Sequence, residues 1–190
     1  MAEPVCLPVR RDRVASGAHP PRWTFPLVSP RVRVSAGMVA WVLAATVVVL
    51  WKPEEVAAWA PLLAVVSVLI STVVHEGAHA WAAHNLGYRV EWVVLGGMVG
   101  VTAYFGRDDR PLERAAVALA GPAASAALVL ALIGVRASMT PPSTALAVVE
   151  LALLLNVVGL VGNLLPVGGT DGAHLLRGLG EHRGRTRPLG

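Results

Sequence analysis

The sequence predicts an all-α integral membrane protein of about four transmembrane helices, with a re-entrant β-like segment between the second and third. Three observations predict it. Hydrophobic residues make up 55% of the 190-residue chain and charged residues only 15%, with a mean hydropathy of +0.60. Soluble domains carry about 25% charged residues, so this composition lacks the polar surface to cover its apolar bulk in water. Four apolar runs reach the length of about 17–25 residues that crosses a hydrocarbon core. The basic residues cluster between alternate runs, as the topology of a multi-pass chain demands.

Residues 1–33 are rich in Arg and Pro and hold no apolar run. They read as a disordered, basic, cytosolic tail and not as a cleaved leader. The first span, Val34–Trp51, is fenced by Arg33 and Lys52. The second runs from Ala60 to Leu86, opening at Pro61 and stopped by Gly87. Next comes Trp92–Phe105, WVVLGGMVGVTAYF, too short to cross and alternating β-branched residues with glycine. It reads as a re-entrant strand or hairpin, viable at depth only if buried in protein or lining a wet cavity. The third span covers Glu113–Val135, with Arg136 beyond it. The fourth covers Thr144–Leu165 and ends at Pro166 and Gly168-Gly169. Residues 34–176 thus form the membrane core and 177–190 a cytosolic C-terminal tail.

Orientation follows from charge. With the N-terminus in the cytosol, the cytosolic segments hold 14 of the 16 Lys and Arg residues; the outer loops keep only Lys52 and Arg136. The chain is therefore expected in a cell membrane, multi-pass, with both termini cytosolic and the bilayer as its partner. Positive charge beside apolar runs argues against nucleic acid. Cys6 is the only cysteine, which excludes an intramolecular disulfide and a thiolate cluster.

The second span contains the only dense group of ionisable residues in an otherwise apolar run: His75-Glu76-Gly77-Ala78-His79. Ionisable groups inside a bilayer cost several kcal/mol unless paired or ligated, so they mark function. On a helix, residues four apart share a face, and His75 and His79 can bind one ion. Glu76 is then placed to act as general base on a metal-activated water. His84 points off that face. A catalytic site takes about three protein ligands and leaves one position open, so a third ligand must come from elsewhere. Asp171, just past the Pro166 break in Asn163-Leu-Leu-Pro-Val-Gly-Gly-Thr-Asp171-Gly172, is the candidate.

These two stretches together resemble the site-2 protease family of intramembrane metalloproteases, whose pattern is H-E-x-x-H followed by N-x-x-P-x-x-x-x-D-G. Leu95-Gly96-Gly97 and Ala120-Gly121-Pro122 are also similar to family members. The resemblance covers residues 60–180 and implies a minimal form, with no inserted PDZ-like domain and no C-terminal CBS domain. It implies one zinc ion per chain on His75, His79 and Asp171, with Glu76 catalytic. The substrate would be a single-span membrane protein cut near the cytosolic side. Its unwound stretch would pair with the edge of the 92–105 segment, while Asn163, Asn156, Gly96 and Gly97 handle its backbone or the developing oxyanion. Two departures stand out: Ser125, where relatives often carry Asn, and Thr170-Asp171-Gly172-Ala173 in place of Leu-Asp-Gly-Gly. Neither is expected to touch a ligand. The alternative is a non-proteolytic membrane protein that binds or transports zinc. The outer half-spans carry little besides Glu150, which argues against a conduit.

Overall fold

In the computed structural model, the structure describes residues 24–29, 31–40, 43, 60–96, 100–105, 110–140 and 144–186. Four strands and four long helices are described: β1 (Thr24–Ser29), β2 (Val32–Ser35), α1 (Ala60–Asn85), β3 (Arg89–Leu95), β4 (Val101–Phe105), α2 (Pro111–Ala137), α3 (Thr144–Leu164) and α4 (Asp171–Thr186). The chain is mostly helical, and the all-α expectation is corrected by one four-stranded sheet of order β1-β2-β3-β4. Among the described residues, Pro111–Ala137 and Ala145–Leu164 are long and apolar enough to cross a membrane. Most of the expected first span lies outside the described residues.

The N-terminal boundary differs from the expected one. Residues 24–29 and 32–33 belong to strands and not to a disordered tail. Val34 and Ser35 finish β2, and residues 36–40 are helical. Helix starts here because the Ser35 hydroxyl accepts the Met38 amide at 3.3 Å, an N-cap contact that Val34 cannot make. β1 and β2 form an antiparallel pair, and β2 then runs parallel to β3, Val32 facing Val93 and Val34 facing Leu95.

The expected hairpin between the second and third long apolar runs is present as β3 and β4, which pair antiparallel with Val93 opposite Thr102. β3 is flanked by β2 on one side and β4 on the other, so β4 is the last described strand of the sheet.

α1 ends where the sequence places its stop. Gly87 adopts φ +83°, its amide bonds the His84 carbonyl at 3.0 Å, and the Tyr88 amide reaches back to Ala83 at 2.9 Å. This left-handed cap turns the chain into β3. Tyr88 and Tyr104 then meet edge to face, 5.3 Å between centroids, over Ala83 and Val117. That small core locks the end of α1, the hairpin and α2 together. α2 packs against α1, α3 and α4, and the hairpin packs against α1. Arg136 near the end of α2 pairs with Glu150 near the start of α3 at 2.9 Å.

After α3, Pro166 and Gly169 (φ +87°) reverse the chain, and Thr170 caps α4 by accepting the Ala173 amide at 3.4 Å. A Cβ on Gly172 would lie 2.1 Å from the Leu164 carbonyl, so only glycine lets α4 start against the end of α3. The expected division at 176/177 falls inside α4, which continues to Thr186.

Burial is inverted relative to a soluble fold. Leu62, Ile70, Val73, Leu130, Leu154 and Val161 are exposed, while His75, Glu76, His79, Thr102, Ser125, Asn156 and Asp171 are buried. Exposed apolar area on this scale marks contact with another apolar phase.

Candidate metal centre

His75, Glu76 and His79 lie in the C-terminal half of α1, and Asp171 opens α4. Because His75 and His79 are one helical turn apart, both imidazoles leave α1 on the same face. The Pro166–Thr170 reversal brings Asp171 to that face from 92 positions further along. His75 Nε2 lies 3.1 Å from His79 Nε2 and 2.9 Å from Asp171 Oδ2, and His79 Nε2 lies 3.3 Å from Asp171 Oδ1. Among the described residues this is the group of His, Cys, Asp and Glu whose donor atoms converge closely enough to hold a metal ion.

The donor set fits a metal. A tetrahedral ion with bonds of about 2.0–2.1 Å separates its ligand atoms by about 3.3 Å, close to the spacing here. Tautomer chemistry agrees. The Val117 carbonyl, 2.7 Å from His79 Nδ1, can only accept, so Nδ1 carries the proton and Nε2 turns its lone pair toward the other donors. A lone pair facing a carboxylate is repulsive unless a metal ion or a ring proton lies between them. Asp171 sits outside the spanning helices. Burial alone would raise its carboxyl, but contacts with the two imidazoles outweigh this and hold it at about 2, ionised as a ligand must be.

α2 supplies the frame. Val117, Gly121 and Ser125 recur every four residues and form one ridge against His75 and His79. A Cβ on Gly121 would lie 2.2 Å from His79 Nε2 and 2.7 Å from His75 Nε2, so this position admits only glycine. Ser125 Oγ is 2.9 Å from His75 Nδ1. The expectation that Ser125 stands clear of the ligands is therefore wrong: one helical turn past Gly121 puts its short side chain on the imidazole. Thr170, the other departure, caps α4 and touches no ligand side chain in the described contacts.

Glu76 points to the other side, toward the sheet. Thr102 Oγ1 donates to Glu76 Oε2 at 2.6 Å, and a Cβ on Gly100 would fall 2.2 Å from Glu76 Oε1. Sequence reasoning passed over both residues, since a threonine and a glycine in a β-like run are ordinary. The short polar gap in an apolar run was the available signal.

The remaining candidates divide. Asn156 and Asn163 line a cavity of about 60 Å³ together with Thr72, His75, Glu76 and Ser125. Asn156 is buried and donates to the Ala152 carbonyl of its own helix at 2.8 Å. Gly96 is not among the cavity-lining residues; its carbonyl accepts from Thr72 at 3.2 Å and ties β3 to α1. Gly100 is the glycine that lies against Glu76. Gly97 lies outside the described residues. His84 is exposed, and His174 is half-buried one turn after Asp171.

Residues 38–170 match the Peptidase M50B-like family. The Rip3 zinc metalloprotease of Mycobacterium tuberculosis, from two strains, is 38% identical over 119 residues, covering 59% of this chain and 29% of that protein. The zinc metalloprotease sll0528 of Synechocystis sp. is 29% identical over 118 residues, covering 62% of this chain and 31% of that protein. The chain thus spans less than a third of the length of the curated relatives it matches. The site-2 protease from Methanocaldococcus jannaschii superimposes with a TM-score of 0.65 at 18% identity, over 85% of this chain and 73% of that one, and shares its fold.

Proposed function

The chain belongs to the Peptidase M50B-like family, and from that premise we propose that it is an intramembrane zinc metalloprotease cutting transmembrane proteins near the cytosolic side of the membrane. One observation carries the reading: three metal-type donors within 3.3 Å of one another, with a buried glutamate on the same helical turn. His75, His79 and Asp171 would hold one zinc ion. When bound, zinc supplies Lewis acidity toward water and toward a peptide carbonyl.

The chain's own residues do the rest. Glu76 takes the proton of the attacking water and returns it to the nitrogen of the departing amine. The apolar exterior keeps bulk water away, and solvent enters from the cytosolic end of α1, about 10 Å from His79 at 1.5 Å per residue. A helical substrate shields its own amides, so the stretch to be cut must unwind. β4, the last described strand of the sheet, would offer main-chain pairing to that stretch, immediately beside Glu76. Asn163, which lines the cavity, would hydrogen-bond the strand or the developing oxyanion. Four spans with both termini cytosolic accord with the distribution of basic residues.

Replacement of Glu76 by Gln tests the reading. The variant should keep one zinc per chain yet cleave a reconstituted single-span substrate at least about a thousandfold more slowly, in line with loss of acid–base catalysis. Cleavage at the wild-type rate would remove Glu76 from the chemistry. Zinc flux across proteoliposomes, measured alongside, would instead favour a carrier.

A further inference from the structure

Every donor in this centre except Glu76 is held by the helices. The imidazoles are braced at Nδ1 by Val117 and Ser125, and Asp171 is held at the capped start of α4. Glu76 has a longer side chain, with three rotatable bonds, and its carboxylate must be aimed to within a fraction of an ångström to take a proton. The contacts that restrain it come from the sheet. Thr102 is fully buried, 0% exposed, in the middle of β4. Its hydroxyl lies 2.6 Å from Glu76 Oε2 and 3.3 Å from the Glu76 carbonyl. Gly100, two residues earlier, leaves the space that Oε1 and the end of the side chain occupy.

Resting on the metalloprotease reading above, we propose that Thr102 is the positioning residue of the general base: its hydroxyl ties down one carboxylate oxygen of Glu76 and leaves Oε1 as the oxygen that accepts the proton. Thr102 touches neither metal nor substrate and acts only through Glu76. Because it sits on β4, the last described strand of the sheet, a peptide pairing there would lie beside a base aimed from that same strand. A hydroxyl is needed for this, and a β-branched shape is not. The alternative is that Thr102 merely satisfies buried polar atoms and ties β4 to α1.

The two are separated with full-length protein in detergent and in vesicles, measuring zinc content, kcat and KM on a reconstituted single-span substrate. Thr102→Val keeps the shape and removes the hydroxyl; Thr102→Ala removes it without adding a methyl against the carboxylate; Thr102→Ser keeps it. The expected result is one zinc per chain in all three, KM within about twofold, kcat down about a hundredfold in the Val and Ala variants, and recovery to within about threefold in Ser. A kcat near wild type in Val or Ala overturns the proposal, as does failure of Ser to recover. Loss of zinc from both Val and Ala also overturns it, since the hydroxyl then serves assembly. Glu76→Gln, assayed in parallel, distinguishes the levels: an active Glu76→Gln sinks the metalloprotease reading itself, whereas an inactive one beside a normal Thr102→Val sinks only the role of Thr102.

Discussion

One turn of α1 is gripped from two sides, and the grips are of different kinds. On the imidazole side a helix presses in: the Val117–Gly121–Ser125 ridge of α2 meets His75 and His79 with backbone and a short hydroxyl. On the carboxylate side a strand presses in: Gly100 makes room for Glu76 and Thr102 bonds it. Helix-on-helix packing is stiff and close-packed, which suits ligands that must hold a fixed polyhedron. The strand side belongs to the sheet's last described strand, against which the proposed function lays a peptide. If the proposed function holds, the difference teaches that metal retention and catalytic turnover rest on separate elements, so one should be damaged without the other.

Single methyl groups test that separation. The largest effect is expected from Gly121→Ala, whose Cβ would collide with both imidazoles at 2.2 and 2.7 Å. Zinc measured on the purified variant should drop to well below one per chain, and cleavage should vanish with it. A zinc-replete, active Gly121→Ala would mean that α2 is not the frame. Gly100→Ala comes next. Its Cβ would fall 2.2 Å from Glu76 Oε1, so zinc should stay bound while kcat falls about a hundredfold; loss of metal there would erase the distinction between the two grips. The smallest effect belongs to Gly77→Ala, inside the same motif, where a Cβ meets no described atom within 4 Å. Zinc and kcat should remain within about twofold, and helix propensity favours alanine there by up to about 1 kcal/mol.

Several elements were legible because their signals are local. HEGAH stands out as ionisable residues in an apolar run, Gly87 as a stop, and Pro166 with Gly168-Gly169 as a reversal. The N-terminal strands were not legible: residues 24–29 and 32–35 form short strands that hold Pro and Arg, and they acquire strand character by pairing with each other and, through β2, with Val93–Leu95. Ser125 was misjudged for a related reason. Its contact to His75 spans 50 positions and depends on which ridge of α2 faces α1, which helical periodicity alone leaves open in a segment apolar on most sides.

By itself the sequence determined the donors, since only a few side chains can ligate a metal or move a proton, and it determined the apolar bulk that requires a bilayer. The tertiary structure alone decided what surrounds those donors. Val117 acts through its carbonyl, Gly100 and Gly121 through the absence of a side chain, and Thr102 through a hydroxyl that any buried strand could carry. Backbone groups and empty space are common to every residue, so their roles appear only when packing brings them against a partner.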